Sequence, residues 1–188
     1  MFEQSEGSRA RTGDTAIWRG RFGAVDVHYP SRGGAVAALV VTGDIGFGQV
    51  VSEHTARLDA VAPYQPGHFY LRELPAIQAV LATTGGVDLL AIDGYVTLDP
   101  SGRPGLGAHL HSYLGIPIIG VAKTAFHGAT HAAAVYRGKA RRPLYVTAAG
   151  LDPQDAARIV AEMAGIHRIP DALRRVDTLA RTAGQSDG

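Results

Sequence analysis

Three carboxylates stand where an acid without a partner is costly. Asp26 interrupts the apolar run Phe22-Gly-Ala-Val-Asp-Val-His-Tyr29, and Asp93 ends the run Val87-Asp-Leu-Leu-Ala-Ile-Asp93. Glu73 has Ile77 and Val80 at i+4 and i+7, which puts it on the inward stripe of a predicted helix. A buried carboxylate takes up a proton or finds a cation. Three of them converging at strand ends and a helix suit a hard divalent metal, which prefers oxygen ligands. The chemistry in reach is metal-assisted. The histidines add no ligand pattern. His109 and His111 lie two apart on a predicted helix and point to different faces, and His28, His54, His68, His127, His131 and His167 have no ligand spacing.

The elements that must position these acids follow from periodicity and turn chemistry. Phe22 to Tyr29, Ala35 to Thr42 and Phe47 to Ser52, extending toward Leu58, read as three strands separated by Gly33-Gly34 and Gly43-Asp44, hence an antiparallel meander. Ala35-Val-Ala-Ala-Leu-Val-Val is apolar almost throughout, as in a strand covered on both faces. After the loop Ala62-Pro-Tyr-Gln-Pro-Gly67, a helix is predicted from Tyr70 to about Leu81 and a short buried strand from Leu89 to Ile92. A helix over Gly105 to Leu114, a strand over Ile116 to Ala122 and an extended segment over Leu144 to Thr147 follow. Asp152 caps a helix from Pro153 to Ala164, and Asp171 caps the last, to about Ala180. A three-strand antiparallel meander followed by parallel strands, flanked by helices, is the order of an α/β, RNase H-like mixed sheet. Asp26, Glu73 and Asp93 fall on its first strand, the helix after its third, and the end of its fourth.

Composition bounds the rest. With 188 residues, 46% of them hydrophobic, the chain suits one domain, expected over 17–182 with flexible ends at 1–16 and 183–188. A net charge of +1 gives no molecule-wide attraction to polyanions, so nucleic-acid binding would need a local patch such as Arg137-Gly-Lys-Ala-Arg-Arg142, which Arg168, Arg174 and Arg175 could extend. The absence of cysteine excludes disulfides, thiolate metal sites and Cys nucleophiles. No apolar run is long enough to span a membrane, and the start lacks a signal-peptide apolar region, so a soluble cytoplasmic protein is expected. No exposed apolar stripe stands out, and a monomer is the expectation.

Four strings carry a resemblance to a known family: Gly23-Ala-Val-Asp-Val-His-Tyr29, Pro63-Tyr-Gln-Pro-Gly-His-Phe-Tyr-Leu-Arg-Glu73, Asp88-Leu-Leu-Ala-Ile-Asp-Gly94 and Gly115-Ile-Pro-Ile-Ile-Gly-Val-Ala-Lys123. From about Gly23 to Leu179 the chain resembles endonuclease V, the deoxyinosine-directed repair nuclease. The resemblance implies an RNase H-like fold, Mg²⁺ or Mn²⁺ as cofactor, and cleavage of the second phosphodiester bond 3′ of inosine, leaving 3′-hydroxyl and 5′-phosphate ends. It implies Asp26, Glu73 and Asp93 as metal-binding catalytic acids and Lys123 near the scissile phosphate. Pro63, Tyr64, Gln65 and Pro66 match a wedge loop that fills the gap left by the displaced base. Gly67, Gly94 and Gly105 match small residues that let the flipped base approach the backbone, and His109 matches a further family position. The implied partner is DNA containing deoxyinosine, with inosine-containing RNA as an alternative.

The chain also departs from the family's pattern. A Ser-Pro-Gly-His-like turn, whose histidine contributes to the metal site, is replaced after Tyr145-Val-Thr147 by Ala-Ala-Gly-Leu-Asp152. Asp152 could substitute as a ligand, although its N-cap role is the simpler reading. Val96 stands for a pocket glycine, Asp99 for a loop histidine and Gln65 for an apolar wedge residue. Two alternatives therefore stay open beside the inosine-directed reading: a nuclease of relaxed or RNA specificity, and a catalytically weak nucleic-acid-binding homologue.

Overall fold

The computed structural model describes residues 19–63, 65 and 70–185. Its first three strands are β1 (Arg19–His28), β2 (Ala35–Asp44) and β3 (Val50–Leu58), paired antiparallel in sequence order. β2 is buried from Ala35 to Thr42, matching its unbroken apolar run, whereas β3 alternates in exposure and edges the sheet with charged Glu53 and Arg57. Helix α1 (Tyr70–Leu81) leads to β4 (Leu89–Asp93), α2 (Leu106–Leu114) and β5 (Ile118–Ala122). β4 runs parallel to β1, and β5 parallel to β4.

A three-residue strand not foreseen in the sequence, β6 (Ala133–Val135), forms an antiparallel hairpin with β7 (Leu144–Ala149), and β7 runs antiparallel to β5. The sheet order is β3-β2-β1-β4-β5-β7-β6. The parallel part is thus limited to β1, β4 and β5. Helices α3 (Pro153–Glu162) and α4 (Asp171–Gln185) complete the chain. α4 continues into the stretch expected to be a flexible end, reaching Gln185. Phe47 lies before β3, in a turn with φ 56°, held where the Asp44 carboxylate accepts from the Gly48 and Gln49 amides. The Phe47 ring is buried beside Phe22, so its apolar character comes from packing and not from strand pairing.

Alternation along the strands divides the core in two. Phe22, Ala24, Ile119 and Val121 face Val160 of α3 and Val176 of α4. Val25, Leu39, Leu90 and Ile92 face Ile77 of α1 and Leu110 of α2. Parity then fixes the acids. Asp26 and Asp93 have the parity of Ala24 and Ala91, the α3–α4 face, and the pairing Val25↔Ile92 brings them side by side one step further on.

Candidate active site

The carboxyl ends of β1, β4 and β5 meet at one edge of the sheet. Val25, Asp26, Asp93, Val121 and Lys123 line a narrow cleft there, closed on the helical side by Ile169, Leu173 and Val176. Its volume of about 10 Å³ suits one water or one small ion. Asp93 pairs with Val121, and Lys123, two residues beyond Val121, places Nζ 2.5 Å from Asp93 Oδ2, donating to it. Burial works against the Lys123 charge, but the hydrogen bond and charge of Asp93, with Asp26 and Asp177, outweigh it and raise its pKa. The ammonium therefore stays charged beside the acids.

Glu73 enters from the opposite layer. It lies in the first turn of α1, where the helix N-terminus favours a negative charge, and is 9% exposed. Burial first, then the charges of Asp26 and Asp93, push its carboxyl up to about 8, against the opposing pull of Arg72. Burial and the charge of Asp93 push Asp26 to about 7. Arg72 stacks 4.3 Å over the Tyr29 ring, and burial followed by the charge of Glu73 raises the Tyr29 phenol.

A fourth acid, not singled out in the sequence, completes the cluster. Asp177 on α4 accepts a hydrogen bond from the Asp26 carboxyl, and the Arg181 guanidinium donates to it at 3.0 Å. The Arg181 hydrogen bond chiefly, with help from Asp26 and Lys123, keeps Asp177 ionised. Its sequence signal was hidden: Asp177 and Arg181, four apart on an amphipathic helix, read as a surface ion pair. Asp152, by contrast, is the α3 N-cap, its Oδ1 accepting from the Gln154 amide at 2.7 Å.

The donor set suits a hard divalent cation. Asp26 and Asp93 share the cleft, Glu73 and Asp177 act on them electrostatically, and the raised values of Asp26 and Glu73 mean that a cation binding there would compete with protons. A ready-made cage is a different matter: among the described residues, no three Asp, Glu or His side chains are grouped closely enough to hold an ion.

The predicted substrate contacts divide. Gly94 follows Asp93 with φ 130°, a left-handed conformation that side chains disfavour, and donates its amide to Val121 O at 3.2 Å. Gly105 begins α2, where a Cβ would come within 2.6 Å of Tyr95 O. Both support the backbone of the loop after Asp93. His109 stacks on Tyr70, ring centroids 3.6 Å apart, so it braces the start of α1 beside Glu73 and does not join the carboxylates. Burial lowers its pKa. Pro63 and Gln65 are exposed, and Tyr64, Pro66 and Gly67 lie outside the described residues. Val96, which stands for a pocket glycine, is fully buried in the α1–α2 core and fits against Gly107, where any Cβ would meet Val96 Cγ2 at 2.6 Å. Asp99 ties its loop together by accepting from Ser101 and Arg103, and the Ser101 hydroxyl first of all lowers its pKa.

The family model for endonuclease V matches residues 8–144. The chain belongs to the endonuclease V family. Endonuclease V of Streptomyces coelicolor is 35% identical over 187 residues, covering 87% of this chain and 79% of the relative. That of Streptomyces avermitilis is 32% identical, covering 87% and 80%, and its crystal structure superposes with a TM-score of 0.75 over 89% of this chain and 82% of that one. The fold is also that of Ciona intestinalis endonuclease V in complex with a 23-mer DNA containing an inosine followed by a ribo-adenosine, at a TM-score of 0.76, 20% identity, and coverage of 89% and 86%. The RNase H-like architecture and a nuclease activity follow from membership. No described helix is long and apolar enough to cross a membrane.

Proposed function

We propose that the chain hydrolyses the second phosphodiester bond 3′ of deoxyinosine in DNA with Mg²⁺ or Mn²⁺, a repair activity on deaminated adenine. The observation that carries this reading is the juxtaposition of Asp26, Asp93 and Lys123 at the ends of three adjacent strands, with Glu73 in electrostatic contact. Asp26, Asp93 and Glu73 would hold the ion, with Asp177 beside them. Lewis acidity, both for making the nucleophile at neutral pH and for the leaving oxygen, would come from that ion.

The chain's own groups do the positioning. Lys123 exchanges its bond to Asp93 for a non-bridging phosphate oxygen and offsets the charge building there. Water adds to phosphorus as the bond to the 3′-oxygen breaks. The oxygen leaves as a 3′-hydroxyl and the phosphate stays on the 5′-oxygen of the following nucleotide. Asp26 would give up its carboxyl proton as it takes the ion, so loading is coupled to proton release, and a water proton passes to the departing 3′-oxygen. Tyr64, between two prolines, suits the stack opened by a flipped base, and inosine costs less to flip because it pairs weakly. The Asp99-centred loop, in place of a histidine-bearing one, is the observation favouring relaxed specificity.

The test is a labelled duplex carrying one deoxyinosine, with Mg²⁺ or Mn²⁺. A cut at the second bond 3′ of inosine, reduced at least about a thousandfold in Asp93→Ala, is expected, in line with the loss of a charge-stabilising group. Equal cutting of uracil, abasic or inosine-containing RNA substrates would select the relaxed reading. Binding without cutting would select the non-catalytic one.

A further inference from the structure

The basic stretch 137–142 divides in the folded chain into two kinds of residue. Arg137 is buried and spends its guanidinium on main-chain carbonyls of the α3–α4 connection: Met163, Gly165 at 3.0 Å and His167 at 3.1 Å. Arg168 works from the other side, donating to Lys123 O and to Pro143 O at 2.7 Å. Both arms of the β6–β7 hairpin are thereby pinned, one to the α3–α4 connection and one to the segment carrying Lys123. Between the pins, Lys139, Arg141 and Arg142 are exposed. They have no ion-pair, hydrogen-bond or ring partner among the described residues.

Other surface cations differ in this respect. Arg158 pairs with Asp155, Arg174 with Asp171, Arg175 with Glu53 and Arg103 with Asp99. Among the described side chains, the exposed cations without any partner are Lys139, Arg141 and Arg142, all in one loop. The strand directions fix where that loop points. β6 ends and β7 begins at the edge where β1, β4 and β5 end, because Val135 pairs with Leu144 and Ala122 with Tyr145. The loop projects beside Lys123 at the acid end of the sheet. Tyr136, 63% exposed, and Ile166, 83% exposed, border it with apolar surface.

We infer that this hairpin loop is a second DNA contact, in which Lys139, Arg141 and Arg142 track the sugar–phosphate backbone of duplex flanking the reacting phosphate. The inference rests on the proposed nuclease reading, yet the attraction of these cations for phosphate is independent of inosine. A rigidly pinned loop loses little conformational freedom on binding, and its cations carry no sequence information, so it adds register and affinity, not specificity. The acids repel a polyanion, so a nearby cationic rail is what lets a duplex approach that edge of a molecule with a net charge of only +1.

The test measures affinity for an unmodified duplex in Mg²⁺ across a salt series, for the full chain and for Lys139→Ala/Arg141→Ala/Arg142→Ala. The slope of log affinity against log salt is expected to shrink by about 2–3, at roughly 0.9 for each phosphate no longer neutralised. Arg158→Ala/Arg174→Ala, which removes paired cations elsewhere, should leave the slope alone. The charge-preserving Lys139→Arg/Arg141→Lys/Arg142→Lys should retain it. An unchanged slope in the triple alanine variant, an equal loss in the paired-cation control or in the charge-preserving variant, or no measurable binding by the parent chain would each overturn the inference. Failure to cut inosine-containing duplex, with the slope change intact, would sink the proposed specificity and leave the loop contact standing.

Discussion

Asp26 on β1 and Asp177 on α4 interact across strand and helix, with the Asp26 carboxyl proton facing Asp177. Asp26 is held near 7 by burial and by Asp93, while Asp177 is kept ionised chiefly by Arg181. Replacing Asp177 by Asn removes both a negative neighbour and the best acceptor for that proton, so the Asp26 carboxyl should ionise at lower pH. The acidic limb of the cleavage profile is then expected to move down by roughly one pH unit, since one unit corresponds to about 1.4 kcal/mol of differential interaction. A limb that stays in place would remove Asp177 from the reacting cluster. Of these acids, Asp26, Glu73 and Asp93 were legible because each breaks an apolar pattern. Asp177 was not, because on a helix surface with Arg181 at i+4 an acid breaks nothing.

At the level of elements, the meander, α1, β4, α2 and β5 were readable from periodicity and turn residues, as were the caps Asp152 and Pro153. What escaped was set by long-range contacts. β6 has three residues, too few for a period, and exists because β7 offers it a ladder. Nothing in the pattern of Leu144–Ala149 states that β7 runs against β5. The basic stretch looked uniform, yet Arg137 faces inward because the α3–α4 connection turns several carbonyls toward it. Arg137→Ala leaves those acceptors without a donor and is expected to cost roughly 2–3 kcal/mol, or about 5–10 °C in melting temperature. Calorimetry on the variant checks this. A loss below about 2 °C would mean that water replaces the guanidinium and the hairpin is pinned by Arg168 alone.

Across the whole molecule, the site exacts a pH-dependent cost in stability. Asp26 and Glu73 have folded-state values of about 7 and about 8, above the ordinary 3.8 and 4.5. The folded chain therefore binds these protons more tightly than the unfolded chain. The sign follows: this stability is fully present below about pH 4 and is lost as pH rises through 7 and 8. Without divalent metal, the melting temperature should fall from pH 5 to pH 8.5. Glu73→Gln, which keeps the shape and cannot ionise, should flatten that fall. Adding Mg²⁺ should raise melting at pH 8.5 far more than at pH 5, because a cation binds the ionised carboxylates and must compete with protons below their pKa. Thermal scans at the two pH values, with chelator and with Mg²⁺, separate the contributions. If Mg²⁺ stabilised the chain equally at both, proton and metal would not be sharing these carboxylates, and the cation would have to bind elsewhere. A pH-independent melting temperature in chelator would show instead that Asp26 and Glu73 are solvated and already ionised, leaving the cluster without the electrostatic pressure that draws a divalent ion to this edge of the sheet.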